Sequence, residues 1–308
     1  MTPSNPLRDE SGSTPLESTA HLMDRINSQL VSQLTLVSLD GRRRPAPAPD
    51  LVVVAHGSRD PRALATVTAL LDIVRELRPG LGMRLGHIEL NEPLLGDTLA
   101  EATGSAVLVP LLLSRGYHVK HDIPEAAAHA PHLDTRVAAP LGPHPLLVDA
   151  LHDRLVEAGW PTGAGQAARR TGGVVLAAAG SRDPDSATDT RRTADLLAQR
   201  LGVPVIPAYA TPTPAAPLSV SAAVRALAAR GRHRTAVASY FTAPGRFATQ
   251  CADAAPWIAA APLGAHQAMA HLLLHRYDQA RATASATAPA ATATSPAPQA
   301  PPRQLASA

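Results

Sequence analysis

Two histidines and a glutamate carry most of the chemistry this sequence can offer. His56 closes an apolar run in VVVAHGSRDP (Val52–Pro61), and Glu89 closes another in MRLGHIEL (Met83–Leu90), with Glu92 just beyond. The stretch SRGYHVKHDIP (Ser114–Pro124) brings Arg115, His118, Lys120 and His121 together. Imidazole binds borderline divalent metals and accepts protons near neutral pH. Two imidazoles and a carboxylate on one rim can hold a divalent cation without closing a four-ligand cage. Ser58, beside His56, is a conceivable nucleophile, but turn or helix-cap work also explains it.

The chain contains these motifs almost twice. VLAAAGSRDP (Val175–Pro184) follows VVVAHGSRDP at a shift of 123 residues, and APLGAHQAMAHLLLHR (Ala261–Arg276) follows APLGPHPLLVDALHDR (Ala139–Arg154) at a shift of 122. Two motifs kept in nearly one register indicate duplication. The second copy has Ala179 in place of His56. Aligning LLLSRGYH with YFTAPGRF through Gly116 and Gly245 sets Phe247 opposite His118. A residue needed for the fold tends to persist in both halves, whereas one needed only for chemistry can be lost from one. The asymmetry therefore pairs His56 with His118 in function. His144 and His266 match across the copies and read as structural, and Gly57 reads as a tight-turn residue.

Elements that would position these groups alternate strictly. In the first copy, strands over LVVVAHGS, MRLGHIEL, AVLVPLLL and TRVAAPLG alternate with helices over PRALATVTALLDIVREL, EPLLGDTLAEAT, DIPEAAAHA and PHPLLVDALHDRLVEAG, with Pro93 suited to a first helical turn. GVVLAAAGS, VPVIPAYA and RTAVASYF are strands of the second copy, and DTRRTADLLAQRLG is its first helix. This order predicts an α/β protein: two similar units, each a parallel four-stranded sheet with helices on both faces, facing each other across a cleft. Ligands of such sheets bind beyond the carboxyl ends of the strands, where His56, Glu89 and His118 fall. The expected domains are an N-terminal extension over 1–48, a catalytic unit over 49–160, a linker over 161–171, a degenerate unit over 172–281 and a tail over 282–308. Leu22, Ile26, Leu30 and Leu34 suggest a short amphipathic helix in the extension, followed by a basic, Pro-rich linker at Gly41–Asp50. The tail is Ala, Thr, Pro and Ser, a composition that carries no fold.

Composition narrows the class. The net charge is +3, too weak for a nucleic-acid arm but compatible with an acidic small ligand. Cys251 is the only cysteine, which excludes an internal disulfide and a four-cysteine zinc or iron–sulfur site. Aromatics are 3% of residues, so packing must rest on Val, Leu and Ala. No apolar run is long enough to span a membrane, and no signal peptide is expected, so a cytoplasmic protein is the default.

At VVVAHGSRDP, HIELNEPLL, VLVPLLLSRGYHVKHDIP and APLGPHPLLVDAL, spanning about Leu51 to Leu155, the chain resembles the CbiX/SirB-type sirohydrochlorin chelatases, relatives of the class II chelatases. The resemblance implies a lyase that inserts Fe2+ (toward sirohaem) or Co2+ (toward cobalamin) into sirohydrochlorin. It implies His56 and His118 as metal ligands, His56 also as proton acceptor, and Glu89 as the glutamate of the second-strand motif. It places Leu113, Ser114, Arg115, Gly116 and Tyr117 against the macrocycle. The metal would be a substrate, with no tightly bound cofactor. The partners would be an acidic tetrapyrrole and a divalent ion, with no nucleic acid and no membrane, and the two units would form an internal pseudo-dimer. Independently, Arg59, Arg62, Arg115 and Lys120 lie close in sequence to the histidines and could pair with the ring's carboxylates. The alternatives are a non-catalytic metal or tetrapyrrole carrier and a histidine-dependent phosphohydrolase. The latter wants an arginine directly before the histidine, where this chain has Ala55.

Overall fold

A computed structural model describes residues 48–162 and 170–287; the helix expected over Leu22–Leu34 lies outside them, as do most of the Pro-rich linker and the chain beyond 287. In the first repeat β1 (Asp50–Ala55), β2 (Met83–His87), β3 (Ser105–Pro110) and β4 (Asp134–Val137) form a parallel sheet in the order β2-β1-β3-β4. In the second, β5 (Gly172–Ala178), β6 (Val205–Tyr209), β7 (Arg234–Ser239) and β8 (Ile258–Ala259) form the sheet β6-β5-β7-β8. The two orders are the same, as duplication requires. The first repeat's helices are α1 (Pro61–Leu77), α2 (Leu95–Ala100), α3 (Ile123–Ala128) and α4 (Pro145–Glu157). Those of the second are α5 (Pro184–Leu201), α6 (Val220–Ala228), α7 (Arg246–Asp253) and α8 (Gln267–Thr287).

Both faces of each sheet are covered, which is why the central strands read as unbroken apolar runs. Along β1, Leu51, Val53 and Ala55 join one apolar cluster while Val52 and Val54 join another. Along β5, Val174, Leu176 and Ala178 point inward and Val175 and Ala177 outward. The inward sets of both sheets belong to a single cluster with residues of α1, α4, α5 and α8. The repeats therefore share one core, sandwiched between the sheets, and lie in one compact unit that begins at Ala48.

The closing helices are exchanged. Helix α4 of the first repeat packs on β7 of the second sheet, while α8 packs on β3 and β4 of the first. The polar contacts repeat this reciprocity. Arg154 on α4 donates to the Leu263 carbonyl at 3.0 and 3.1 Å, and Arg276 on α8 donates to the Leu141 carbonyl at 3.1 Å. Tyr277, fully buried, donates to the Pro49 carbonyl at 2.7 Å, and Arg78 makes a two-pronged pair with Asp278 at 2.7 Å. His144 and His266 cap α4 and α8, their Nδ1 atoms accepting from Leu146 and Ala268 at 3.2 and 3.1 Å, which is the structural role their recurrence suggested.

Three expectations shift. Pro93 is not in a first helical turn; its carbonyl accepts from the His87 amide at 3.0 Å, and α2 begins at Leu95. His118 opens a single π-helical turn (His118–Asp122), closed by the Ile123 amide on the His118 carbonyl, before α3 starts. Helix α8 runs on to Thr287, past the expected tail boundary at 281, through an Ala-rich stretch, and Ala is the best helix former.

The recurrent GSRDP motif is a strand-to-helix connector. Gly57 and Gly180 both have φ of +100°, and a Cβ on either would strike the carbonyl oxygen of Glu89 or Thr211. Ser58 and Ser181 accept from the Asp60 and Asp183 amides at 3.1 Å. Asp60 and Asp183 then cap α1 and α5, and the prolines occupy the first turn. Gly57→Ala and Gly180→Ala are each expected to destabilise the protein by about 2 kcal/mol or more, since both backbone strain and a clash are imposed. Urea unfolding measures this; full stability in either variant would contradict the turn geometry.

Candidate functional site

The connectors after β1 and β3 bring His56 and His118 together. Their rings meet edge to face with centroids 4.7 Å apart. Glu89 follows β2, and its amide donates to the His56 carbonyl at 3.0 Å, which ties the β2 connector to the β1 connector. The Glu89 carboxylate lies 3.6 Å from His56 Nδ1, and the Gly57 carbonyl lies 3.3 Å from the same nitrogen. With two acceptors facing Nδ1, the proton of neutral His56 belongs there, and Nε2 keeps its lone pair. His118 has the same arrangement: its Nδ1 is hydrogen-bonded to the Asp122 carboxylate one π-turn later. A carboxylate on one ring nitrogen fixes the tautomer and the ring orientation. Both imidazoles are thereby set as Nε2 donors. Among the described residues no cluster of three or more His, Cys, Asp or Glu is gathered for a metal.

These groups line a cavity of about 1860 Å3 whose walls come from both repeats. Ligand clefts of ~300–1,000 Å3 are typical, so this one suits a large ligand. Arg59, Leu113, Ser114, Gly116 and Tyr117 line it. Tyr117 is 65% exposed and Leu90 50% exposed, both on the cavity wall. Leu90 has φ of +68°, and the Asn91 amide bonds the Glu89 carbonyl at 2.9 Å across it, a γ-turn. A bulky residue held in the left-handed region beside Glu89 is local strain of the kind found at binding sites.

Four sequence candidates lie off the cavity wall, and a fifth, Arg62, lines it but is already paired. Arg115 was expected on substrate, but its guanidinium and backbone amide bind Asp189 of α5, at 2.7 to 3.2 Å and 2.9 Å, and it does not line the cavity. Lys120 is held by Asp183 and Asp185 at 2.7 and 2.8 Å. Arg62 lines the cavity but folds back on Asp60 at 2.7 Å. Glu92 is exposed off the wall, and His121 lies against the Tyr117 ring at 4.6 Å.

The misplaced cations have a common task. Arg115, Lys120 and Ser114, whose hydroxyl lies 2.8 Å from that of Ser186, fasten the His118 segment to α5 of the other repeat. Among the described residues no such clamp is seen on the other side, where Pro244 and Thr249 stand for Arg115 and Lys120. Asp122 was missed, although its spacing of four from His118 was a usable signal. Asp189 gave none, because it meets Arg115 across 74 residues.

Fold and site together define a class: a two-lobed α/β cleft protein whose duplicated rim keeps its imidazoles and carboxylate in one copy. The sequence model of the CbiX family matches residues 50–158 and again 173–280. The chain belongs to the CbiX family. It is 31% identical over 170 residues to the sirohydrochlorin ferrochelatase of Bacillus subtilis, covering 52% of this chain and 62% of that enzyme, so the match spans less than two thirds of the relative. It is 29% identical over 136 residues to the sirohydrochlorin cobaltochelatase of Methanopyrus kandleri, covering 35% of this chain and 95% of that enzyme. The structure of SirB from Bacillus subtilis with Fe3+ shares the fold, with a TM-score of 0.62 at 24% identity over 78% of this chain and 98% of that one.

Asp189→Ala is expected to cost about 1–2 kcal/mol, the value of charge-assisted hydrogen bonds discounted for the half-exposed Arg115 side chain, as measured by chemical unfolding. Acid behaviour tests the second tie. The Lys120 ammonium, as hydrogen-bond donor, holds the Asp183 carboxyl below its ordinary 3.8. That contribution is complete above the ordinary carboxyl range and fades as pH falls through the lowered value. The stability difference between wild type and Lys120→Met should therefore be constant near neutrality and shrink below about pH 4. A difference that grows in acid would contradict the pair.

Proposed function

We propose that this chain is a sirohydrochlorin chelatase, a lyase that inserts a ferrous or cobaltous ion into an acidic tetrapyrrole. The observation that carries the reading is the edge-to-face approach of His56 and His118, with Glu89 beside His56, on the wall of a cavity large enough for a macrocycle. The activities named for the Bacillus and Methanopyrus relatives support it. In this reading residues 49–160 carry the reacting groups and 172–281 the degenerate repeat. The enzyme works in the cytoplasm as an internal pseudo-dimer, without a tightly bound cofactor.

Insertion exchanges two pyrrole N–H protons for one dication, so two N–H bonds break and two protons must find bases. His56 and His118 first hold the ion through Nε2, in a sphere open enough to let it go. As ring nitrogens replace the imidazoles, His56 Nε2 is freed and accepts one proton, and the Glu89 carboxylate beside it accepts the other. Asp122 keeps the His118 ring oriented throughout. Arg59 faces the substrate's carboxylates, while Leu113, Ser114, Gly116 and Tyr117 lie along the macrocycle. The imidazole–carboxylate donor set suits iron and cobalt alike.

Anaerobic mixing of the purified protein with sirohydrochlorin and Fe2+ or Co2+, followed by absorbance, tests this. The wild type is expected to accelerate the spectral change of insertion. His56→Ala should lose about 100-fold or more and His118→Ala should be severely impaired, with circular dichroism unchanged. His266→Ala should keep insertion and cost about 1 kcal/mol of stability as a lost cap. Insertion at the uncatalysed rate with bound tetrapyrrole would instead identify a carrier.

A further inference from the structure

The second repeat has lost all three groups of the rim. The hydrogen bond from the Thr211 amide to the Ala179 carbonyl, at 2.9 Å, reproduces that from Glu89 to His56, so Thr211 stands in the place of Glu89. The amide bonds Lys120 to Gly116 and Thr249 to Gly245, both 3.0 Å, set Phe247 in the place of His118. Ala179, Thr211 and Phe247 bind no metal, yet Ala179 and Phe247 remain on the cavity wall.

We infer that this repeat has become the substrate-recognition wall of the cleft: Arg182 and Arg246 bind carboxylates at the edge of the tetrapyrrole, and Phe247 receives its flat face. The inference rests on the chelatase reading above and adds residues to it. Of the arginines that line the cavity, Arg62 is held by Asp60, while Arg59 and Arg182 have no ion-pair partner among the described residues. Arg246 has none either; its guanidinium lies 5.0 Å from the Phe247 ring centroid. All three are exposed to the cleft. The unpaired acid on this wall, Asp253, ends α7, at the opposite end from Arg246.

Placement matters as much as charge. A Cβ on Gly116 would lie 3.9 Å from Ser181 Oγ, and one on Gly245 would lie 3.9 Å from Ser58 Oγ. The pseudo-twofold thus sets Arg182 beside the His118 connector, and Arg246 beside the His56 connector and Arg59. Arginines of both repeats thus line the same cavity as the imidazole pair. A flat ring centred over the imidazoles would extend its acidic side chains toward them. Planar, permanently charged guanidinium suits two-point carboxylate binding.

Titration of metal-free sirohydrochlorin into wild type, Arg182→Gln, Arg246→Gln and the double variant tests this, read by absorbance at low and high salt. Each single change is expected to weaken binding by about 3- to 10-fold and the double by about 10- to 100-fold, with a shallower salt dependence and partial recovery in the Lys variants. Binding of Co2+ alone, read from its visible spectrum, should be unchanged, because the imidazoles are untouched. Thermal midpoints check that folding is retained. If the double variant binds sirohydrochlorin as tightly as a wild type that inserts metal, this inference falls and the chelatase reading stands. If the wild type itself neither binds nor metallates sirohydrochlorin, both fall.

Discussion

The cleft exists because the two sheets bury their inner faces in one shared core. Val53 and Leu176 lie on different sheets yet belong to the same apolar cluster. Burying a Leu or Val side chain is worth about 1.5–3 kcal/mol, and the effect has no preferred direction. Dispersion and burial hold the repeats together but do not set their angle. The exchanged helices do that. With α4 on the second sheet and α8 on the first, the reciprocal bonds of Arg154 and Arg276 to Leu263 and Leu141 fix one relative orientation. The carboxyl ends of both sheets then open onto the same cavity.

A symmetric frame carries an asymmetric site. The GSRDP connector recurs because its parts are mechanical: a glycine at positive φ, a serine that closes the turn, an aspartate that caps, a proline that starts the helix. None depends on the preceding residue, so His56 could become Ala179 without disturbing the turn. The second copy also uses its connector differently. Asp183, Asp185 and Asp189 reach across to hold Lys120 and Arg115, and so steady the segment that bears His118. One repeat carries the imidazole pair and the other helps to hold the segment that bears His118.

Electrostatics in the cleft follow the same division. A carboxylate stands next to Nδ1 of each imidazole, Glu89 at His56 and Asp122 at His118. Arg59, Arg182 and Arg246 line the same cavity. In the proposed function this division would let a dication and an acidic ligand share the cavity, whereas a cavity of one sign would repel one of the two.

Much of this was legible in the chain. Helix α1 was read with the bounds the structure has from its helical spacing of apolar residues, and the structure adds an Asp60 cap and a proline in the first turn. The duplication, the parallel sheets and the pairing of His56 with His118 also followed from pattern, since strand periodicity, turn chemistry and a lost pair of histidines are all local in sequence. Other features were not. Arg115 and Lys120 read as substrate-facing because sequence shows a cation near a histidine but not the aspartates waiting on another helix. Asp189 and the exchange of α4 and α8 left no trace at all, and Arg182 looked like one more residue of a repeated motif. Sequence alone determined the elements, their order and which copy kept its donors. Only the tertiary structure decided which charges are consumed in holding the repeats together and which remain free for a ligand, because that depends on partners brought within 3 or 4 Å by a core that joins residues far apart along the chain.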